Sequence, residues 1–207
     1  MHRHFSSRPL GGATTTTVKR ATFLLVAVTV VVALCSAPLL AQDASALEVA
    51  VTYNATRSSA VSNDNFWMQG GSIEMHSRFY RGLGAVADIA GAHTGNIQSS
   101  GVALDMVTAT FGPRYTLASA HRRFEFFGQA LAGVANAFNS VFPTPTAAIK
   151  SSYSPAIKVG GGMNIALSTH IALRAFEANW LRTQFPNATT NVQNNLSLGA
   201  GVAFRFH

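Results

Sequence analysis

The sequence predicts an all-β protein: an eight-stranded antiparallel up-and-down transmembrane β-barrel, preceded by a cleaved signal peptide. Three observations lead to this prediction. Apolar and polar residues alternate with period two in eight segments, long and short connections alternate between those segments, and only 11% of the 207 residues are charged. An ordinary soluble domain has roughly 25% charged residues, so this composition is poorly suited to a water-covered surface.

The leader is the first element of the chain. Residues 21–34 are apolar and uncharged, and two basic residues stand just before them. This order, followed by small residues, is typical of a secretory signal. The apolar run is shorter than a membrane-spanning helix, which needs about 20 apolar residues, so we expect it to be cleaved. The alternative is an uncleaved membrane anchor. We therefore expect a signal peptide over 1–41 and an outer-membrane β-barrel domain over 42–207, with no further domain.

Charge and cysteine content exclude several classes of protein. The formal net charge is +7, but in 42–207 the 11 Lys and Arg residues exceed the 8 Asp and Glu residues by only three. No Lys/Arg run remains there to follow phosphates, so we expect no nucleic-acid partner. The single cysteine cannot form an internal disulfide. The histidines show no metal-ligand spacing, and we expect neither a metal nor a cofactor.

The alternating segments follow one another from residue 47 to the end of the chain. In each, apolar side chains point to one face, and small or polar side chains point to the other. The last segment is the clearest, while the fifth and seventh alternate less cleanly, with Gln129, Glu177 and Asn179 on their polar faces. The predicted strands are 47–56, 72–79, 83–90, 107–115, 124–138, 157–165, 171–183 and 196–206.

The connections between these segments predict the orientation of the barrel. Those at 80–82 and 168–170 are tight, that at 117–123 is moderate, and the four others are long. Small outer-membrane barrels have short periplasmic turns and longer extracellular loops, and an even strand number leaves both termini in the periplasm. The longest connection, 139–153, carries Phe142, two prolines and a lysine. We expect it to be the contact surface for an extracellular ligand.

The alternative to a membrane barrel is a soluble lipocalin-like barrel, which is apolar inside and charged outside. Here the polar face is rich in small residues with few single charges, which suits the narrow lumen of a small membrane barrel. We therefore expect a location in the bacterial outer membrane, with its lipids as partners. Aromatic residues near the strand ends are expected to form girdles at the two interfaces: Phe66, Trp67, Phe79, Tyr80, Tyr115, Phe124, Phe142, Tyr153, Trp180 and Phe206.

The polar face carries a balanced set of charges. Since charges in a narrow lumen must pair, this set predicts an internal network that plugs the barrel, and not a selectivity ring of one sign. Glu74 and His76 share a strand face with Ser72, but no catalytic triad can be named, and we expect no enzyme and no catalytic residue. The predicted lumen network is Glu48, Glu74, His76, Arg78, Asp88, Arg114, Lys158, Glu177 and Arg205.

Short segments carry a family resemblance: Gly112-Pro113-Arg114-Tyr115, Gly160-Gly161-Gly162, His170-Ile171-Ala172-Leu173-Arg174 and the last strand. Over nearly all of 46–207 the chain resembles the small bacterial outer-membrane β-barrel domain family, the OmpA-like and OmpX-like eight-stranded barrels. The resemblance implies that Gly201, Phe204 and Phe206 form the signal read by the barrel-assembly machinery, although His207 follows the last aromatic. The plugged lumen and the four modest loops predict a structural or surface-interaction role. A narrow solute channel or a lipid-modifying enzyme is the alternative.

Overall fold

The computed structural model describes residues 47–59, 65–97, 102–118, 123–143, 148–187 and 190–206. The predicted signal peptide and its cleavage site lie outside these residues. No helix in the described part of the chain is long and apolar enough to cross a membrane. The described strands are β1 (Leu47–Ser59), β2 (Asn65–Tyr80), β3 (Leu83–Thr94), β4 (Leu104–Ala118), β5 (Phe124–Pro143), β6 (Ala148–Ala166), β7 (Ile171–Thr183) and β8 (Gln193–Phe206).

Each strand pairs antiparallel with the next, and β8 returns to pair with β1, so the sheet is a closed barrel. In the closing ladder Glu48 lies opposite Arg205, and Thr52 lies opposite Gly201. Closure gives each strand of the wall a hydrogen-bonding neighbour on both sides, which a structure surrounded by lipid requires. The predicted eight-stranded antiparallel barrel is confirmed.

The two ends of the barrel differ in their connections. At one end, here the turn end, residues 81–82 join β2 to β3, and residues 167–170 join β6 to β7. Arg81 and Gly82 have φ angles of 40° and 89°, the left-handed pair of a type I′ hairpin turn, whose twist matches that of the strands. The start of β1 and the end of β8 also lie at the turn end. The opposite end, here the loop end, has the connections 60–64, 95–103, 144–147 and 184–192.

The predicted long loop 139–153 is wrong, because β5 and β6 continue through most of it. Phe142 pairs with Ile149 beyond a register shift, where Asn139 has a φ of 59°. Between the pairs Phe138–Ser151 and Phe142–Ile149, β5 has three residues and β6 has one, so this bulge adds two residues to β5 before the ladder resumes. At the loop end, the ladder between β4 and β5 stops at the pair Asp105–Phe138. The ladder between β6 and β7 stops at the pair Ala156–Thr183. Residues 139–143 therefore have no ladder partner on β4, and residues 148–155 have none on β7. We call these two segments the projecting hairpin.

Side chains alternate between the outside and the inside of the barrel. On β5, Phe126 is 50% exposed on the outside, whereas its neighbour Phe127 is 6% exposed inside. The outside is apolar and the inside largely polar, the reverse of a soluble protein and the arrangement of a membrane barrel. Exposed apolar side chains include Val51, Ile73, Ile89, Phe111, Val134, Ile157, Leu173, Leu198 and Phe204.

Eight of the ten aromatic residues predicted for the girdles are exposed: Trp67, Phe79, Tyr80, Tyr115, Phe124, Tyr153, Trp180 and Phe206. The prediction is wrong for Phe66 and Phe142, which are buried inside the barrel. Phe66 precedes the outward Trp67 and so faces the opposite side, and Phe142 follows the bulge in β5. Both belong to an apolar cluster at the loop end of the lumen.

Candidate functional site

A guanidinium at the centre of the lumen joins four strands. Arg174 on β7 is fully buried, and its Nη1 lies 2.7 Å from Glu74 Oε1 and 2.8 Å from Glu177 Oε2. Its Nη2 lies 3.4 Å from Glu48 Oε1, and its Nε donates to Asn164 Oδ1 at 3.2 Å. The contacts reach β1, β2 and β6 as well as β7 itself. Arg174 therefore ties opposite walls of the barrel together.

A second guanidinium extends this cluster across the lumen. Arg114 on β4 places Nη2 2.5 Å from Glu74 Oε2, and its Nε donates to Gln129 Oε1 at 3.2 Å. Gln129 Nε2 in turn donates to Asn179 Oδ1 at 3.3 Å, and Asn179 Nδ2 donates to Glu177 Oε1 at 2.6 Å. The network of charged and amide groups thus runs without interruption from β4 through β5 to β7.

The two guanidiniums share one aromatic ring. The ring centroid of Phe127 lies 4.1 Å from Cζ of Arg114 and 4.7 Å from Cζ of Arg174, within the range of cation–π attraction. Room for this ring comes from Gly162 on β6, because a Cβ there would lie 2.8 Å from Phe127 Cζ. The glycine segment noted in the sequence therefore has a packing role at this position.

Further ion pairs lie on either side of this cluster. Toward the loop end, Lys158 Nζ is 2.9 Å from Asp88 Oδ1. Toward the turn end, Arg205 lies 3.1 Å from Glu48 and 2.5 Å from Glu125, and Arg78 lies 3.9 Å from Glu125. The described lumen therefore holds five carboxylates and five cations, listed as Glu48, Glu74, Asp88, Glu125, Glu177, Arg78, Arg114, Lys158, Arg174 and Arg205. Pairing offsets the cost of removing these charges from water.

The structure places all nine side chains of the predicted lumen network on the inner face of the barrel. Eight of them take part in the ion pairs above. His76 is buried beside Gly84, where a Cβ would lie 2.4 Å from its Nε2, and it makes none of the described ion pairs. Gly201 is on the inner face, while Phe204 and Phe206 are exposed outside. Their role in assembly stays a prediction.

Two members of the network, Glu125 and Arg174, are absent from the predicted set. Glu125 shares the parity of Gln129 on β5, so strict alternation could have found it. Arg174 could not be found in this way, because a register shift separates it from Glu177. Ala175 is the extra residue of this bulge, and in a regular strand that kept Ala175 the Arg174 side chain would share the outward face of Trp180. The side chain at the centre of the network thus depends on an irregularity that alternation does not reveal.

Two of the three lumen groups that suggested acid–base chemistry, Glu74 and Ser72, make structural contacts. Both oxygens of Glu74 face arginines, and Ser72 Oγ accepts a hydrogen bond from Asn54 Nδ2 at 3.0 Å. Ser77, which follows His76, lies on the outer face. Within the described residues, no group of three or more His, Cys, Asp or Glu side chains could hold a metal ion.

At the loop end the character of the lumen changes from polar to apolar. A cavity of about 270 Å³ lies there, and we call it the vestibule. Phe185, in the connection after β7, packs on Phe142 with ring centroids 5.9 Å apart. Gln193 fixes its backbone, accepting from Phe185 N at 2.8 Å and donating to Phe185 O at 2.9 Å. The vestibule is lined by Ser58, Phe66, Met68, Ile97, Leu104, Met106, Ala137, Ser140, Val141, Phe142, Thr183, Phe185, Pro186, Asn187, Gln193 and Asn195.

A small polar cluster marks the loop end of the outer face. His93 Nδ1 lies 2.6 Å from Asp105 Oδ1, and Asn139 Nδ2 donates to Asp105 Oδ2. A strand needs about 9–11 residues to cross a bilayer. On β4 these are supplied by residues 107–117, which lie on the turn-end side of Asp105. The cluster therefore lies outside the membrane-spanning segment. Burial raises the pKa of Asp105, but hydrogen bonds from Asn139 and His93 outweigh it and hold that pKa below its usual value.

The closed eight-stranded sheet, the apolar exterior and the polar lumen define the class: the chain folds as a small outer-membrane β-barrel. Neisserial surface protein A shares this fold with a TM-score of 0.59 and 15% identity, over 79% of this chain and 100% of that one. Ail, the attachment invasion locus protein of Yersinia pestis, has a TM-score of 0.54 and 14% identity, over 78% of this chain and 99% of that one. No protein-family model and no curated protein matches the sequence.

Proposed function

We propose that the chain is an integral protein of a bacterial outer membrane with a lumen that does not conduct solutes. In this proposal the turn end faces the periplasm, and the loop end makes contacts outside the cell. The observation that carries it is the ion-pair network centred on Arg174, which crosses the lumen between β1, β2, β6 and β7. A narrow solute channel is the alternative.

The packing of the lumen supports a closed barrel. An eight-stranded barrel has an interior that side chains can just fill. Here Arg114, Arg174 and the ring of Phe127 occupy the same section, and each is at most 6% exposed. A cavity between this section and the vestibule measures about 30 Å³, which is the volume of about one water molecule. Equal numbers of carboxylates and cations also give no excess charge of one sign to select ions.

The projecting hairpin supports a role in surface contact. It extends beyond its neighbouring strands, and exposes Val141, Ile149 and Lys150. Its outer edges carry backbone groups that no adjacent strand of the described chain pairs, which makes them a template for a partner. We retain 139–153 as the proposed contact segment for an extracellular ligand.

Single-channel recording in planar bilayers tests the closed lumen. We expect no stepwise conductance from the wild-type protein, and regular steps would refute the proposal. The neighbouring phenylalanines of β5 offer a matched pair of variants. Phe127→Ala removes the ring between the two guanidiniums and should increase ion leakage, whereas Phe126→Ala removes an equally large ring from the outer face and should not.

Deletion of residues 141–150 tests the hairpin. The deletion removes the paired ends of β5 and β6 and leaves the network untouched. We expect cells that display the shortened barrel to lose adhesion to surfaces or host cells that the full-length protein supports. The gel shift between unboiled and boiled samples serves as the control for folding. Unchanged adhesion by a folded, displayed deletion variant would refute a contact role for this segment.

A further inference from the structure

The vestibule has the dimensions of a small-molecule site. Its volume of about 270 Å³ is near the lower end of the roughly 300–1,000 Å³ typical of ligand pockets. One wall is apolar and comes from β2, β4 and β5, with Phe66, Met68, Met106, Ala137 and Phe142. None of the described lining residues is charged. An occupant of this wall must therefore be small, neutral and mostly apolar.

The opposite wall is polar and comes from β1, β7 and β8. Ser58 Oγ donates to Asn195 Oδ1 at 2.5 Å, and Thr183 Oγ1 donates to Gln193 Oε1 at 3.3 Å. Asn195 Nδ2 in turn donates a hydrogen bond to the carbonyl oxygen of Leu181 at 3.2 Å. The donors of this wall are thus engaged, but the side-chain oxygens of Ser58, Thr183 and Asn195 each keep a further lone pair. The wall can accept a hydrogen bond from an occupant.

The floor of the vestibule prevents the occupant from passing through the barrel. Lys158 lies in the section below and is held by Asp88 at 2.9 Å, so it offers no free charge for an anion. The arginine network fills the lumen beyond it. A molecule that enters from the loop end would therefore be retained there.

We propose that the vestibule is a binding site for a small neutral molecule with an apolar body and one hydrogen-bond donor, such as a medium-chain alcohol. This inference rests on the proposed function only in assigning the loop end to the cell exterior. The hydrogen-bond donor faces the strip formed by Ser58, Thr183 and Asn195, and the apolar body lies on Met68, Met106 and Phe142.

The methionines of the barrel supply the readout. Met68 and Met106 line the vestibule, whereas Met75 and Met163 point to the outside. Protein with ¹³C-labelled methionine methyl groups in lipid nanodiscs is titrated with octan-1-ol and observed by NMR. We expect saturable shifts of the two vestibule methyl groups. The outer pair should show only the unsaturable shift that follows partition of the alcohol into lipid.

Two further tests sharpen the result. Octanoate should bind at least about tenfold more weakly than octan-1-ol. Its carboxylate would have to leave water for a cavity in which no described lining residue carries a positive charge. Ala137→Phe places a ring in the vestibule and should abolish the saturable shifts, and Ser140→Phe should do the same from another position of β5. Ala132→Phe makes the same change as the first variant on the outer face of β5 and should leave binding intact.

Identical shifts at all four methyl groups, or saturable binding that survives both blocking variants, would overturn the proposal. Folding of each variant is checked by the gel shift on boiling. The result is independent of the conductance experiment. A barrel that conducts but binds octan-1-ol in the vestibule refutes the closed lumen alone, and a closed barrel without saturable binding refutes the vestibule site alone.

Discussion

Replacement of Arg174 by methionine isolates the energetic role of the lumen network. Methionine fills a similar volume without charge. In Arg174→Met, Glu74 keeps Arg114 at 2.5 Å, and Glu48 keeps Arg205 at 3.1 Å. Glu177 loses the single ion pair that it makes in the described structure. The variant thus leaves one buried carboxylate without a cation, which costs about 3–5 kcal/mol of unfolding free energy.

The compensating change is Glu177→Gln. Glutamine can keep the hydrogen bond from Asn179 to Oε1, and it removes the unpaired charge. Arg174→Met/Glu177→Gln therefore returns the lumen to equal numbers of carboxylates and cations. We expect the double variant to recover about 2 kcal/mol or more relative to Arg174→Met, because the desolvation penalty of an unpaired carboxylate is gone.

Urea unfolding in lipid vesicles measures these differences. Trp67 and Trp180 are both exposed on the outer face, so their fluorescence reports departure from the bilayer. Arg182→Met is the matched control, since Arg182 lies on the same strand but outside, and its loss should change stability by less than about 0.5 kcal/mol. A cost below about 1 kcal/mol for Arg174→Met, or a double variant no more stable than the single one, would show that the network does not behave as described.

Three further predictions concern single positions. Gly162→Ala should lower stability by about 1–3 kcal/mol, since its Cβ would lie 2.4 Å from a carbonyl oxygen and 2.8 Å from the lumenal phenylalanine ring, while Gly91→Ala, with open space around its Cβ, should be tolerated in the same urea assay. The lowered pKa of Asp105 means that its carboxylate stabilises the fold above pH 3.8, the usual value, and that this contribution is lost as pH falls through the lowered pKa. Wild type and Asp105→Asn should therefore differ in thermal stability above pH 3.8 and converge below it. Phe206→Ala should reduce the assembled fraction in cells more than Phe79→Ala, another exposed aromatic at the turn end, as measured by the gel shift on boiling.

Period-two alternation sufficed to predict the barrel because the bilayer and the lumen impose opposite chemistry on the two faces of each strand. Eight of the ten charged side chains of the described lumen followed from the same rule. On β1, for example, Glu48 lies between the apolar Leu47 and Val49, so its inward direction could be read from the sequence. The rule holds as long as a strand is regular.

The errors occur where regularity ends. The bulge at Asn139 hides the continuation of β5, so the sequence predicts a loop where two strands pair. The sequence also does not reveal the vestibule, because Phe66 and Phe142 resemble interface aromatics although both point inward. At the loop end the lining of the lumen is also apolar, and composition alone cannot show which side of the wall an aromatic ring occupies.

The bulge at Ala175 has a consequence for how the chain can vary. Ala175 is left over in the ladder with β6, where Met163 pairs with Phe176 and Asn164 pairs with Arg174. Deletion of Ala175 alone would therefore leave Arg174 opposite Asn164 and facing the lumen. A regular strand that kept Ala175 would instead present Arg174 to the lipid and turn Leu173 into the lumen. A strand one residue shorter can thus carry the same network, whereas a strand of this length needs the bulge.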